Sequence, residues 1–324
     1  MTPSLIICLT QKDEAALSFT LSSLLVLNCL CTLANSRILG VSKIFIMQNI
    51  LSLVSCFFFL VSCNAQTQTG PEDLMHLKYG SGKQNTLDLY LPKTYTEKTP
   101  VIIMLHGGAW VMGGNEYTDK TSKDLRDRGF VVANVDYRYV NDSVSAKNLL
   151  RDIDDAITYV EKQSAQYHYS PKGYHMAGIS AGAHLSLLYG YTTSKTIKSI
   201  TALCAPSRLD NPNDINEFNK HQLVHNVELL ADAKYIPGQK LGTEFTVVSP
   251  YSHIKAIPTL LFHGDADDLV PYSQSVFLYE QLQKKGVKSK FVTMKGKGHD
   301  CGMNQPDSEK KVLDEITKWV ELYN

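Results

Sequence analysis

Gly178-Ile179-Ser180-Ala181-Gly182 stands between two runs of opposite character. Gly173 to Gly178 reads as a strand, and Ala181 to Gly190 reads as a helix. A serine on so tight a strand-to-helix turn is forced outward, at the carboxyl end of a sheet, with a helix N-terminus behind it. The flanking glycines suit a place where a Cβ would crowd the neighbouring backbone. Five letters are a short pattern, so its meaning depends on what surrounds it.

Outward from this turn, strand and helix patterns alternate. Thr86 to Leu91 alternates with period two. Pro100 to Leu105 and Phe130 to Val135 are continuously apolar, as strands buried on both faces are. Ala146 to Tyr167 is helical in period, with Leu149, Leu150, Ile153, Ile157 and Val160 on one stripe. After the serine helix come strand Ser199–Cys204, strand Pro258–Phe262, helix Ser273–Lys285, strand Lys288–Met294 and helix Ser308–Leu322. This order predicts an α/β class fold, a mostly parallel central sheet with helices on both faces. Sites in such sheets form at the carboxyl ends of the strands. Residues 206–249 break the rhythm, with one helical candidate, Asn216–Ala231; so long a connection predicts a small cap or lid over the site.

The chain has 324 residues, 44% hydrophobic and 20% charged, with a net charge of +0. No basic field points to nucleic acid. Residues 1–63 read as a leader and 64–73 as a linker, which leaves 74–324 as one catalytic-sized domain. Ile50 to Val61 is too short to span a bilayer but suits a signal sequence. It runs into Leu60-Val61-Ser62-Cys63, which looks like a bacterial lipobox, with Lys43 as the positive flank. Lipidation at Cys63 is the expectation, and a plain secretory cut after Ala65 is the alternative. Either predicts export, to the periplasm or outer surface as a lipoprotein or as a secreted soluble protein. A second uncharged run, Ala15 to Ala34, suggests a membrane segment or a translation start nearer Met47. Five of the seven cysteines lie in this leader, so Cys204 and Cys301 alone remain in the domain; Cys204 reads as core, and two cysteines make neither a disulfide scaffold nor a zinc site.

Ser180 needs a base, and the base needs an acid to orient it. Pro258–Phe262 runs into His263-Gly264-Asp265-Ala266-Asp267-Asp268-Leu269-Val270-Pro271, and Lys288–Met294 runs into Gly296-Lys297-Gly298-His299. The catalytic assignment is therefore Ser180, Asp267 and His299, in the order nucleophile, acid, histidine. Asp265 and Asp268 read as turn formers or N-caps. Pro100–Leu105 leads into His106-Gly107-Gly108-Ala109-Trp110, which predicts an oxyanion hole from the N–H groups of Gly108, Ala109 and Ala181. Gly107 stands in as an alternative donor beside the substrate. Trp110 reads as a wall of the acyl pocket or as a packed aromatic under the cap, and His106 as a brace for the loop. His184 reads as a buried structural histidine. His221 and His225 share zinc-pair spacing, but Gln222 stands where a zinc protease has Glu and no third ligand follows, so no metal is expected. Arg138 reads as a loop anchor, and Arg151, Asp152, Asp154 and Asp155 as a solvated or capping helix face.

Together, His106–Trp110, Asp136-Tyr137-Arg138, Gly178–Gly182 continuing Ala183-His184-Leu185, His263–Pro271 and Gly298-His299 resemble the serine-esterase branch of the α/β-hydrolase superfamily. The pattern is similar to bacterial bifunctional feruloyl and acetyl-xylan esterase-like carboxylesterases, with hormone-sensitive-lipase-like esterases and kynurenine formamidases nearby. The resemblance spans roughly Leu74 to the C-terminus. It implies an α/β-hydrolase fold and a cofactor-free carboxylesterase working through an acyl-enzyme. The implied substrate is a small-molecule or polysaccharide-linked ester, acetyl or feruloyl groups on plant polysaccharide among them. The implied membrane contact is the N-terminal lipid alone. Ala109 replaces the third glycine of the lipase-type loop, which leaves the backbone N–H in place. An amidase or peptidase with the same triad is the rival activity, and an inactive hydrolase-fold binding module is the rival class.

Overall fold

The computed structural model describes Glu72–Asn324. The leader, Cys63, Ala65 and the second apolar run lie outside the described residues. The chain enters through β1 (Glu72–Lys78) and β2 (Thr86–Leu91), then β3 (Val101–Leu105), α1 (Asp119–Asp127) and β4 (Val131–Val135). It continues through α2 (Ala146–Tyr167), β5 (Tyr174–Ile179), α3 (Ala181–Thr192) and β6 (Ile197–Leu203). The sheet order is β1-β2-β4-β3-β5-β6-β7-β8, where β7 is Thr259–Gly264 and β8 is Ser289–Met294. The pairings β1/β2 and β2/β4 are antiparallel and the rest are parallel. The expected parallel sheet is therefore present, with an antiparallel ribbon at its entry edge.

Both faces of the sheet are covered, and β3 shows why its run is apolar throughout. Val101, Ile103 and Leu105 join one apolar layer with Ile153 and Ile157 of α2 and Leu185 of α3. Ile102 and Met104 join the other, with Leu125 of α1 and Val312, Ile316 and Val320 of α8 (Pro306–Leu322). Alternate side chains of one strand feed opposite layers, so neither register position tolerates a polar group. The serine helix α3 is buried on every side from Ala181 to Tyr191 and is mostly apolar, as a helix wedged into a core is.

Two elements escape a sequence reading. β1 begins at Glu72, inside the span read as linker, and it is mostly exposed. Its register shifts between Leu74 and Leu77, which scrambles the period-two signal. In α1 the only buried residues are Ser122 and Leu125, so no apolar stripe announces it. Its exposed face carries the i,i+4 pairs Lys120–Asp124 and Asp119–Lys123.

The segment 206–249 holds α4 (Pro212–Lys220), α5 (Val224–Ala231) and α6 (Thr243–Val247). The single helix expected over Asn216–Ala231 is two. Asn211 caps α4 by accepting from Asn213 N and Asp214 N. The chain then breaks at His221–Leu223, with Gln222 at φ 59°. That break puts His221 past the end of α4 and His225 inside α5, so the two do not share one helical face. Leu209, Ile215, Phe218, Val227, Leu230, Phe245 and Val248 tie the segment into the apolar layer of α2 and α3. Among the described residues no helix is long and apolar enough to cross a membrane.

Candidate active site

Ser180 sits between β5 and α3 at φ 56°, ψ −121°, a region L-residues rarely occupy. The turn holds because its backbone is over-determined. Ser180 N donates to Leu203 O at 2.8 Å, and Ser180 O accepts from His184 N at 2.9 Å. The neighbouring glycines are required by contact: a Cβ on Gly182 would lie 2.2 Å from Leu105 O, and one on Gly178 would lie 2.5 Å from Gly182 O. The sequence GxSxG thus packs the helix start directly against the end of β3.

Opposite the serine, β7 and β8 end in two loops that meet. His299 Nε2 lies 2.8 Å from Ser180 Oγ, and His299 Nδ1 lies 2.8 Å from Asp267 Oδ2. The Asp267 side chain is fully buried while that of His299 keeps 22% exposure, so the ring can meet a substrate and the carboxylate cannot. The other oxygen, Oδ1, accepts from Leu269 N and Val270 N, both at 2.9 Å. Asp265 takes a different part: its Oδ1 accepts from Gly296 N at 2.5 Å and ties the two loops together. Of the three aspartates in the cluster, the structure brings Asp267 to the imidazole.

Burial alone would raise the Asp267 carboxyl, but the hydrogen bonds from His263 and His299 outweigh it and hold it well below the usual carboxylate range. Burial alone would lower His299; hydrogen bonds and charge from Asp267 first and Cys204 second outweigh that and push the imidazole up to about 9.

His263 is the partner that the motif contains but that spacing does not reveal. Its Nε2 lies 3.1 Å from Asp267 Oδ2 and 2.9 Å from Val270 O, and its Nδ1 lies 2.7 Å from Ser275 Oγ at the start of α7 (Ser273–Lys284). One tautomer satisfies all three: Nε2–H is shared by the two oxygens and Nδ1 accepts from the serine hydroxyl. His263 thereby orients the carboxylate from behind. His263→Ala should lower kcat by about 10- to 100-fold with KM little changed, since an orienting partner acts through the residue it holds; steady-state kinetics on one ester checks it. Cys204 Sγ, His263 and Asp267 present donor atoms within 4.8 Å of one another. Both ring nitrogens of His263 and both oxygens of Asp267 are already engaged, so this group is built as a hydrogen-bonded brace.

The loop after β3 runs alongside the serine. A Cβ on Gly107 would lie 3.3 Å from Ser180 Cβ. Gly108 has φ +120°, and Ala109 and Trp110 have φ 49° and 62°. The hydrogen-bond pattern gives the N–H groups of Gly108 and Ala109 no acceptor among the described residues, and Ala181 N opens α3, where no intrahelical acceptor exists. His106 braces this loop: Nδ1 donates to Gly107 O at 2.6 Å, and the ring stacks on Tyr137 at 4.3 Å. Burial pushes His106 below its ordinary value, so it stays neutral.

Trp110 takes the packed place of the two expected for it. It is 2% exposed, and its indole N–H donates to His184 Nδ1 at 3.2 Å. His184, fully buried, donates from Nε2 to Val248 O at 2.7 Å. This chain links the oxyanion-side loop, α3 and the 206–249 segment, and Trp110 supports the pocket wall instead of facing substrate. Burial lowers His184 to about 4, which keeps the ring in the neutral form this chain needs. Arg138 clamps Asp152, with Nη2 to Oδ1 at 2.7 Å and Nε to Oδ2 at 2.9 Å. Asp152 is 2% exposed, so it is a buried anchor and not part of a solvated face.

Eight strands in this order, a serine on the β5–α3 turn, and a histidine and aspartate from the last two strand ends define an α/β-hydrolase. The chain belongs to the BD-FAE family, whose model matches residues 87–282. It is 30% identical over 237 residues to an Arabidopsis thaliana protein named "Probable isoprenylcysteine alpha-carbonyl methylesterase", covering 68% of this chain and 49% of that one. The chain thus spans about half that relative's length. A truncated form of a carbohydrate esterase from gut microbiota superposes with TM-score 0.66 at 21% identity, covering 79% of this chain and 99% of that one. Esterase B from Lactobacillus Rhamnosis superposes with TM-score 0.65 at 17% identity, covering 85% of this chain and 93% of that one. These two likenesses concern the fold.

Proposed function

We propose that the protein is a serine carboxylesterase acting on short-chain acyl esters through an acyl-enzyme. The observation that carries this reading is the unbroken chain Ser180 Oγ–His299–Asp267, two contacts of 2.8 Å each. His299 Nε2 takes the hydroxyl proton as Ser180 attacks the ester carbonyl, and Asp267 stabilises the imidazolium that forms. The N–H groups of Gly108, Ala109 and Ala181, with Gly107 as the alternative, receive the developing oxyanion; each such donor is worth about 3 kcal/mol in the transition state. His299 then returns the proton to the departing alcohol, and water repeats the cycle on the acyl-enzyme. The 206–249 segment serves as a cap over the site.

Acetyl or feruloyl esters of plant polysaccharide are the substrates we favour, supported by the family and by the carbohydrate esterase among the fold neighbours. Side-by-side kcat/KM on nitrophenyl esters of increasing chain length, acetylated xylan and aminoacyl anilides tests this; dominant anilide turnover would make the protein an amidase. Export with lipidation at Cys63 completes the proposal, supported by Leu60-Val61-Ser62-Cys63. Cys63→Ser should move the protein from the membrane to the soluble fraction on cell fractionation.

A further inference from the structure

The two cysteines of the domain are 97 residues apart in sequence, yet their Sγ atoms lie 3.1 Å apart. Both side chains are fully buried. Cys204 follows β6, its N–H donating to Phe262 O at 2.9 Å, and Cys301 sits two residues after His299, its N–H donating to Gly298 O at 3.1 Å. Each takes a positive φ, 51° and 54°, so both sit in left-handed backbone. Leu203, Phe262 and Met294 pack in the same apolar layer, while Cys204 Sγ also neighbours His299, His263 and Asp267. A buried free thiol packs as a small hydrophobe and has no need of a second thiol at this distance. Closing the gap to a covalent S–S bond takes an approach of about 1 Å.

We propose that Cys204 and Cys301 are a disulfide site, a cross-link that fastens the loop of His299 to the end of β6. The co-reactant is a disulfide of a small thiol or of a thiol–disulfide exchange protein. One cysteine, as thiolate, attacks a sulfur of that disulfide; a mixed disulfide forms and one reagent thiolate leaves. The second cysteine, as thiolate, attacks the protein sulfur of the mixed disulfide and expels the other reagent thiolate. The two protons given up by the cysteines end on the two released thiols. The protein pair is oxidised by two electrons and the reagent disulfide is reduced by two. Hydrogen bonding to Cys301 and burial push the Cys204 thiol well above its ordinary value, so exchange proceeds when the His299 loop opens and is slow when it is closed. The loop closed by the bond is long, which is the case in which a cross-link restrains the unfolded chain most.

The test uses the full chain, equilibrated with equal concentrations of reduced and oxidised glutathione a few degrees below its unfolding midpoint, where the loop opens. Denaturing alkylation, digestion and mass spectrometry then read each cysteine separately. The expected result is a cross-linked peptide pair carrying Cys204 and Cys301 that vanishes with dithiothreitol. The oxidised protein should also unfold at least about 5 °C above the reduced one, a difference that Cys301→Ser and Cys204→Ser both erase. Full alkylation of both cysteines, or glutathione adducts on them without the cross-link, overturns the proposal. The peptide map is made on the unsubstituted chain, so its result holds even where a serine variant fails to fold.

Discussion

Ser180→Ala should abolish ester turnover, lowering kcat by about 10⁴-fold or more, while the thermal midpoint moves by no more than about 2 °C. The two halves of this expectation have separate causes. The hydroxyl is the atom that bonds to the acyl carbon, and among the described residues no other oxygen is placed against His299 Nε2. Stability, by contrast, resides in the turn's backbone: Ser180 N to Leu203 O, His184 N to Ser180 O, and the close approach of Gly178 and Gly182. Alanine keeps all of these and inherits the same strained φ. Burst kinetics on a nitrophenyl ester, together with a melting curve, checks both halves; turnover retained by the alanine variant would remove Ser180 from the mechanism.

Asp267→Asn should lower kcat by about 10⁴-fold. The asparagine carbonyl can still accept from Leu269 N and Val270 N, as Oδ1 does now. Its amide then faces His299 Nδ1 and donates to it. The ring is driven into the tautomer with hydrogen on Nε2, which cannot take a proton from Ser180. The pH profile carries the same logic. His299 works as a base when neutral, and Asp267, with a further part from Cys204, pushes it from 6.5 up to about 9. Imidazolium therefore persists to higher pH, and the rising acid limb of kcat/KM should lie above 6.5 in the unsubstituted protein. Removing the carboxylate charge should shift that limb to lower pH. If Asp265→Asn or Asp268→Asn gives the large loss instead, the acid is misassigned within the cluster.

How far these expectations can be read from sequence differs residue by residue. The turn at Ser180 is legible because a strand, two glycines and a helix leave one local geometry. His299 is legible because it ends a strand on a glycine-bounded loop. His263 sits in a motif with Asp267, yet its contact with the carboxylate depends on how the loop folds back on β7. For Trp110 the sequence leaves two places open, and burial against His184 decides between them. The break in the 206–249 helix is hidden because residues 216–231 keep a helical period across it, while Asn211 capping and the positive φ of Gln222 set the real ends.

Local pattern alone determined the alternating α/β architecture, the order of nucleophile, acid and base, and the place of each at a strand's carboxyl end. Those are short-range properties: period, turn chemistry and chain order are written within a few residues. The 2.8 Å contacts of His299, the bracing by His263 and the meeting of Cys204 with Cys301 were decided by tertiary structure. The contacts of His299 and of the two cysteines join side chains 32 to 119 residues apart, and the His263 contact, though only four residues long, depends on how its loop folds back. The distant ones come together because β5, β6, β7 and β8 pair in parallel and end side by side, so that loops far apart in sequence share the carboxyl end of the sheet.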